Sequence, residues 1–315
     1  MSAPDYRGRM HVGKQVRLFL VDGTPGGLTT AEIINWTGHV LKGKREKLVA
    51  IRGREEARRT GVYILLGDDV GDGRIAYIGQ SDDVANRLMQ HDAKKDFWDE
   101  VVIVTSKDSN LTSAHVRYLE SRLIKMAKSI GRVHLSNGNE PSGGADLPEA
   151  DASDMDYFIE QLRIVLPVLG VEVLRGREAR SEPGAAEQPV HDQYVDSPIF
   201  TLTNRAGVDA RAQMIDGEFT VLRGSRIRTV MQRPKAGVAT TMRQFEARSR
   251  LHALVIADAV ASPDGATMKL TQDVVFTSPS AASAVLQGYA TANGRADWRT
   301  TDGVTFGAWE AAGAT

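Results

Sequence analysis

Tyr63, Tyr77, Arg87, His91 and Glu120 are the residues in this chain whose types and spacing suit chemistry. The two tyrosines lie in short apolar runs, GVYILL (61–66) and IAYIGQ (75–80), joined by GDDVGDG. That pattern reads as a β-hairpin, and paired strands can put both phenols on one face. Strand aromatics taken alone are ordinary packing residues. SDDVANRLMQH (81–91) then opens a helix with Ser81 as cap and Asp82 and Asp83 in the first turn, where carboxylates suit the helix dipole. Val84 and Leu88 define its buried stripe, and Arg87 and His91 are i, i+4 partners on the flank of that stripe. An arginine fork and an imidazole facing a sheet edge can grip a phosphate.

Glu120 stands in LTSAHVRYLESRLIKMAKSIG (111–131), a long helix capped by Thr112 and stopped by Gly131. Val116, Leu119, Leu123, Met126, Ala127 and Ile130 form its apolar stripe. Glu120 falls about 70° from the stripe centre and His115 about 70° on the other side. A carboxylate at that boundary is either a helix surface charge or a metal ligand at the rim of the core. One carboxylate with substrate phosphate oxygens and waters suffices for Mg²⁺. His115 reads as a satisfied histidine at a helix start.

These elements need others to hold them. VRLFLVDG (16–23) is a strand and turn, and TTAEIINWTGHVL (29–41) reads as a helix begun by Thr29 or Thr30. EVVIVTS (100–106) is a third strand, HLSNGNEPSGG (134–144) a loop, and ASDMDYFIEQLRIVLPVLG (152–170) an amphipathic helix followed by a short strand, VEVLR. Residues 42–59 carry eight Lys and Arg against three Glu. Such a run is either a solvated face or a phosphate-facing rim, with Lys42, Lys44, Arg45 and Lys47 as its leading cations.

The texture changes after residue 175. GREARSEPGAAEQPVHDQYVD (176–196) reads as a linker. Beyond it, IFTLT, VDARAQMI, EFTVLRGSRIR, TMKLTQDVVFTS and VTFGAWE are strand-like. Asp-Gly pairs at 216–217, 264–265 and 302–303 mark turns, and SPSAASAVLQGYA (278–290) is a helix with Pro279 at its first position. The chain thus divides into 1–175, a linker, and a smaller α+β domain at 197–315. The last contains no carboxylate or histidine cluster of catalytic spacing.

The chain has 315 residues, 42% hydrophobic and 25% charged, a net charge of −1 and no cysteine. That composition is globular and supports two cores. It excludes disulfides, cysteine-based zinc sites and a cysteine nucleophile. Near-neutral charge leaves any polyanion binding to local patches. No apolar stretch is long enough to span a membrane, and the first residues lack a signal-type apolar core. A cytoplasmic protein is expected.

GVY (61–63), YIGQS (77–81), Arg87, His91 and YLESRLI (118–124) together resemble a GIY-YIG nuclease domain over residues 60–140. Val62 replaces the usual isoleucine, the loop between the motifs is slightly long, and either Asn137 or Asn139 answers the family's later asparagine. The flanking segments resemble those of a subgroup of bacterial GIY-YIG proteins. The last third resembles an uncharacterised domain that often accompanies such nucleases. The resemblance implies an α+β fold, with a small three-stranded sheet flanked by helices, and metal-dependent phosphodiester cleavage. It implies Tyr63 as base toward the attacking water, provided nearby cations lower its pKa, with Tyr77 positioning water or phosphate. It further implies Arg87 neutralising phosphoryl charge, Glu120 holding Mg²⁺ (or Mn²⁺), and His91 orienting the base or sharing its proton. Gly79 admits a close backbone approach or marks a strand-end bulge; with Asn137 and Asn139 it is expected to line the substrate. The expected substrate is DNA, in defence, restriction or repair. The alternatives are a catalytically inactive nucleic-acid-binding module and an RNA-cleaving toxin.

Overall fold

A computed structural model describes residues 13–68, 73–138, 146–178, 197–234, 239–262 and 265–313. Asn139 lies outside these residues. The chain splits into two compact units, Met1–Arg175 and Gly176–Thr315. Both are mixed α+β, each built on one seven-stranded sheet among the described residues.

The first unit opens with three antiparallel strands, β1 (Val16–Leu20), β2 (Thr29–Ile33) and β3 (Gly38–Lys44). The helix expected over 29–41 is therefore a β-hairpin. Ala31 and Ile33 alternate into the core with Val40, a period-two pattern that a helix cannot bury. Asn35 makes the turn at φ 64°, a left-handed conformation that asparagine tolerates. Trp36 then folds back over Gly38, where a Cβ would collide with its indole.

A short helix α1 (Leu48–Arg52) leads to the central hairpin, β4 (Gly61–Asp68) and β5 (Arg74–Ser81). Next come α2 (Val84–Asp92), β6 (Trp98–Ser106), α3 (Ser113–Ile130), a two-residue β7 (His134–Leu135) and α4 (Glu149–Val168). The strand order is β1-β2-β3-β6-β4-β5-β7, and only β5–β7 is parallel. The sheet is thus not the small three-stranded one expected. β6, β4 and β5 form its interior, extended on one side by the N-terminal meander and on the other by β7. Being central, β4 is buried from Gly61 to Gly67, which explains its almost unbroken apolar sequence.

Two cores lie on opposite faces of this sheet. One joins Val62, Ile64 and Ile78 to the apolar stripes of α3 and α4. The other joins Tyr63, Leu65 and Ile103 to α1 and α2. Residues 171–175 form no strand, although Val171, Val173 and Leu174 are buried in the first core. Among the described residues no helix is long and apolar enough to cross a membrane.

The second unit contains β8 (Phe200–Thr203), β9 (Asp209–Ile215), β10 (Glu218–Val221), β11 (Arg226–Arg228), α5 (Ala239–Ala257), β12 (Val260–Ala261), β13 (Thr267–Lys269) and β14 (Val274–Phe276). These are followed by α6 (Pro279–Gln287), α7 (Gly294–Asp297) and α8 (Phe306–Gly313). Ser278 caps α6 with Pro279 in its first turn, and Asp216 and Gly217 both take positive φ in the β9–β10 turn. The segment expected as strand VTFGAWE is instead mostly α8. Thr305 accepts from the Ala308 N–H at 3.2 Å, and Phe306 and Trp309, one turn apart, pack on Phe200. One core fills this unit, from Phe200 and Phe219 to Val285 and Trp298.

Candidate active site

The β4–β5 register builds the site. Tyr63 pairs with Gly79 and Leu65 with Tyr77, so the two tyrosines are diagonal neighbours on one face, ring centroids 6.3 Å apart. Tyr63 is fully buried. Its ring lies across the strand over Gly79, and a Cβ at 79 would strike its Oη and Cζ. The glycine therefore makes room for Tyr63 itself, which is a different reason from the substrate approach expected.

α2 crosses this face. Its N-cap is Asp83, whose carboxylate accepts from the Asn86 N–H at 3.0 Å; Ser81, the expected cap, instead bonds the backbone of Asp83. Val84 and Leu88 pack inward and carry His91 with them. His91 Nε2 is 2.7 Å from the Tyr63 hydroxyl, and its ring sits 5.2 Å from that of Tyr77. Arg87, one turn earlier, is exposed, bonds Gln90 at 2.8 Å and reaches both phenol oxygens.

Glu120 arrives from the other side of the sheet. Beyond Ala76, β7 no longer covers the outer edge of β5. The Ser136 N–H still donates to the Ala76 carbonyl at 2.8 Å. Asn137 then imitates a strand, its Oδ1 accepting from the Ile78 N–H at 3.0 Å and its Nδ2 donating to the Ile78 carbonyl at 2.8 Å. Two residues further, the Gln80 N–H is taken by the Glu120 carboxylate. Both ends of the Asn137 amide are thus engaged at the sheet edge. Glu120 ends that edge half-buried, with lone pairs to spare.

The electrostatics follow from burial and from three cations. Burial raises the Tyr63 phenol above the ordinary range, Tyr77 and Glu120 add to the rise, and Arg87 opposes it. Burial outweighs the lowering by Arg87, so the net shift is opposite to the one expected for the base role. Burial first, then the charges of Arg87, Lys95 and Lys94, lower His91 to about 4. At neutral pH the imidazole is uncharged and offers the Tyr63 hydroxyl an acceptor. Burial also raises Glu120, against Arg87 and the Gln80 N–H. The Arg87 guanidinium is raised, foremost by its hydrogen bond with Tyr63.

Lys95 joins this group without a clear sequence signal. Its ammonium stands over the Tyr77 ring, 4.2 Å from the centroid. Its signal was faint: a lysine in the turn just after the helix that bears Arg87 and His91.

The basic segment does not form one rim. Lys42 donates to the Leu169 carbonyl at 3.0 Å and pairs with Glu100 at 3.4 Å, on the α4 side of the sheet. Arg45 bonds Asp92 at 2.7 Å, reaches the Trp98 carbonyl at 3.4 Å and lies over the Trp98 ring, on the α2 side. Lys47 faces Asp22 at 3.9 Å, and Lys44 is exposed. Two of the four are consumed by the fold, on opposite faces: Lys42 from within β3 and Arg45 from the turn that follows Lys44. His115 stays away from the site, closing a capping box with Thr112.

Residues 200–310 match a family described as a domain of unknown function, DUF4357. The matched region lies within the C-terminal unit. The match does not extend to residues 60–140. No curated protein and no solved structure compared with the chain matches it.

Proposed function

We propose that the first unit is a GIY-YIG type endonuclease that hydrolyses phosphodiester bonds of DNA with Mg²⁺ or Mn²⁺. One observation carries this reading. Tyr63, Tyr77, Arg87, His91 and Glu120, drawn from two strands and two helices on opposite faces of the sheet, converge about the Tyr63–His91 contact of 2.7 Å. A packing role does not require an exposed arginine on two phenols or a carboxylate at a sheet end.

Arg87 would receive the scissile phosphate with its forked donors, and Lys95 would add charge beside Tyr77. Burial holds His91 low first and the cations second; the phosphate's own charge would offset the cations, which raises the basicity of that imidazole. The attacking water then gives a proton to the Tyr63 oxygen as the Tyr63 proton passes to His91 Nε2. Tyr77 orients the water. Glu120 is the residue that would hold the metal. Among the described residues no three acidic or histidine side chains group to bind one, so phosphate oxygens and waters would complete its shell. Bound there, the ion would polarise the phosphate and stabilise the leaving oxygen.

Supercoiled plasmid, branched DNA and RNA, each with Mg²⁺ or with EDTA, test the reading. The expected result is Mg²⁺-dependent DNA cleavage that Glu120→Ala reduces by about 100-fold or more, the order expected when one essential electrostatic interaction is removed. Equal cleavage by the variant would remove Glu120 from the mechanism. Cleavage of RNA alone would favour the toxin reading, and binding without any cleavage would favour the inactive module.

A further inference from the structure

The sheet of the C-terminal unit has one covered face and one partly open face. Phe200, Leu202, Ala210 and Ala212 point into the core. The alternate positions of β8 and β9, with their neighbours, point outward. Near Gln213 and Ile215 this outer face is closed, because Ser197 and Arg177 bond Gln213. The other half is open. It displays Thr203, Asp209, Arg226 and Lys269 in one cross-strand row, paired in that order across β8, β9, β11 and β13. A second row adds Arg299, Thr201 and Arg211. Asp209, Arg211, Arg226, Lys269 and Arg299 are all exposed.

We infer that this face is a docking surface for the phosphate backbone of double-stranded DNA. Charge complementarity carries the inference. Four cations stand against one carboxylate, Asp209, which bonds Arg226 at 3.0 Å. Among the described residues Arg211 and Lys269 make no ion pair. Arg226 and Lys269 are directly opposed, and like charges so placed destabilise a sheet unless something neutralises them. From Arg299 to Lys269 the rows cross four strand spacings, about 19 Å in all, enough to meet several phosphates. Thr201 supplies a hydroxyl between Arg299 and Arg211, and Thr203 one beside Asp209; hydroxyl and cationic groups of this kind position a protein on DNA without reading its sequence. The face holds no exposed aromatic among these rows on which unstacked bases would stack, which favours a duplex over a single strand.

The choice of DNA rests on the endonuclease reading, and the test separates the two. The full chain is titrated with a short duplex in EDTA, so that no cleavage intervenes, at several salt concentrations and with two unrelated sequences. The triple variant Arg211→Gln, Arg226→Gln, Lys269→Gln is expected to weaken binding to both sequences alike. It should also flatten the slope of log K against log salt by about 0.9 for each phosphate no longer neutralised, up to about 2.7. Asp209→Asn, which removes the opposing charge, should move affinity the other way; it keeps the test decisive if the triple variant does not fold. An unchanged slope in the triple variant, an unchanged affinity in Asp209→Asn where the triple variant is unfolded, or no duplex binding by the wild-type chain overturns the inference. If the wild-type chain cleaves nothing with Mg²⁺ while the triple variant flattens the slope, the nuclease reading falls and this surface stands. If the wild-type chain cleaves and the slope does not move, the surface falls and the nuclease reading stands.

Discussion

His91 couples the candidate site to the stability of the first unit. The folded protein holds its imidazole at about 4, whereas an unfolded chain titrates near 6.5. Below pH 6.5 the unfolded state takes up a proton that the folded state refuses. Stability is therefore lost as pH falls from about 6.5 toward 4, at up to about 1.4 kcal/mol per unit. Between pH 7 and pH 4.5 this one residue should account for about 2–3 kcal/mol. His91→Gln keeps an acceptor for Tyr63 and does not titrate, so urea midpoints of the variant should fall less over that interval than those of the wild type. Parallel curves for the two proteins would show that His91 is not held neutral by the fold. The shared face of Tyr63 and Tyr77 and the neighbouring places of Arg87 and His91 are legible in the sequence, since hairpin alternation and helical i, i+4 spacing fix them. The Tyr63 pKa was not legible. Its direction depends on complete burial under α2, and burial outweighs the nearby guanidinium.

At the scale of elements, the β4–β5 hairpin works through the pair of Tyr63 and Gly79. Gly79 has an ordinary backbone conformation, so an alanine there is resisted by the Tyr63 ring rather than by backbone strain. Gly79→Ala should cost about 1–3 kcal/mol as an overpacking substitution and push the Tyr63 hydroxyl from His91. Combined with Tyr63→Ala the clash disappears, and the two costs should be clearly less than additive in a double-mutant cycle. Simple additivity would mean that the ring and residue 79 do not compete for space. α3 was the element read best, because Thr112, Gly131 and a six-residue apolar stripe all agree with it. The sequence of the β2–β3 hairpin suggests a helix because its turn, INWT, lacks an Asn-Gly signal and relies on Asn35 alone. The sequence of α8 suggests a strand because Val304, Thr305 and Phe306 favour strands locally, while the packing of Phe306 and Trp309 on Phe200 overrides that preference. α5 leaves a weak sequence signal because Arg and Ser interrupt its apolar positions.

At the scale of the molecule, the division of the chain was announced by the polar, Pro-bearing stretch after residue 175, but the width of both sheets was not. Long-range pairings such as β3 with β6 leave no local trace in sequence. No core cluster is shared between the units: Trp98 and Tyr63 belong to one of the two in the first, Trp298 and Phe219 to the one in the second. Units with separate cores unfold as separate cooperative transitions. Trp298 tests this, being wholly buried, in edge contact with Phe219 at 5.2 Å, with its indole N–H on the Pro279 carbonyl at 3.1 Å. Trp298→Ala should remove about 3–5 kcal/mol from the C-terminal unit, which for a unit of this size lowers its melting temperature by roughly 10 °C or more. The transition of the first unit should stay where it is, and Mg²⁺-dependent cleavage measured below both transitions should persist at saturating DNA. Calorimetry resolves the two events. A single transition that moves as a whole would show that the two units unfold as one cooperative body.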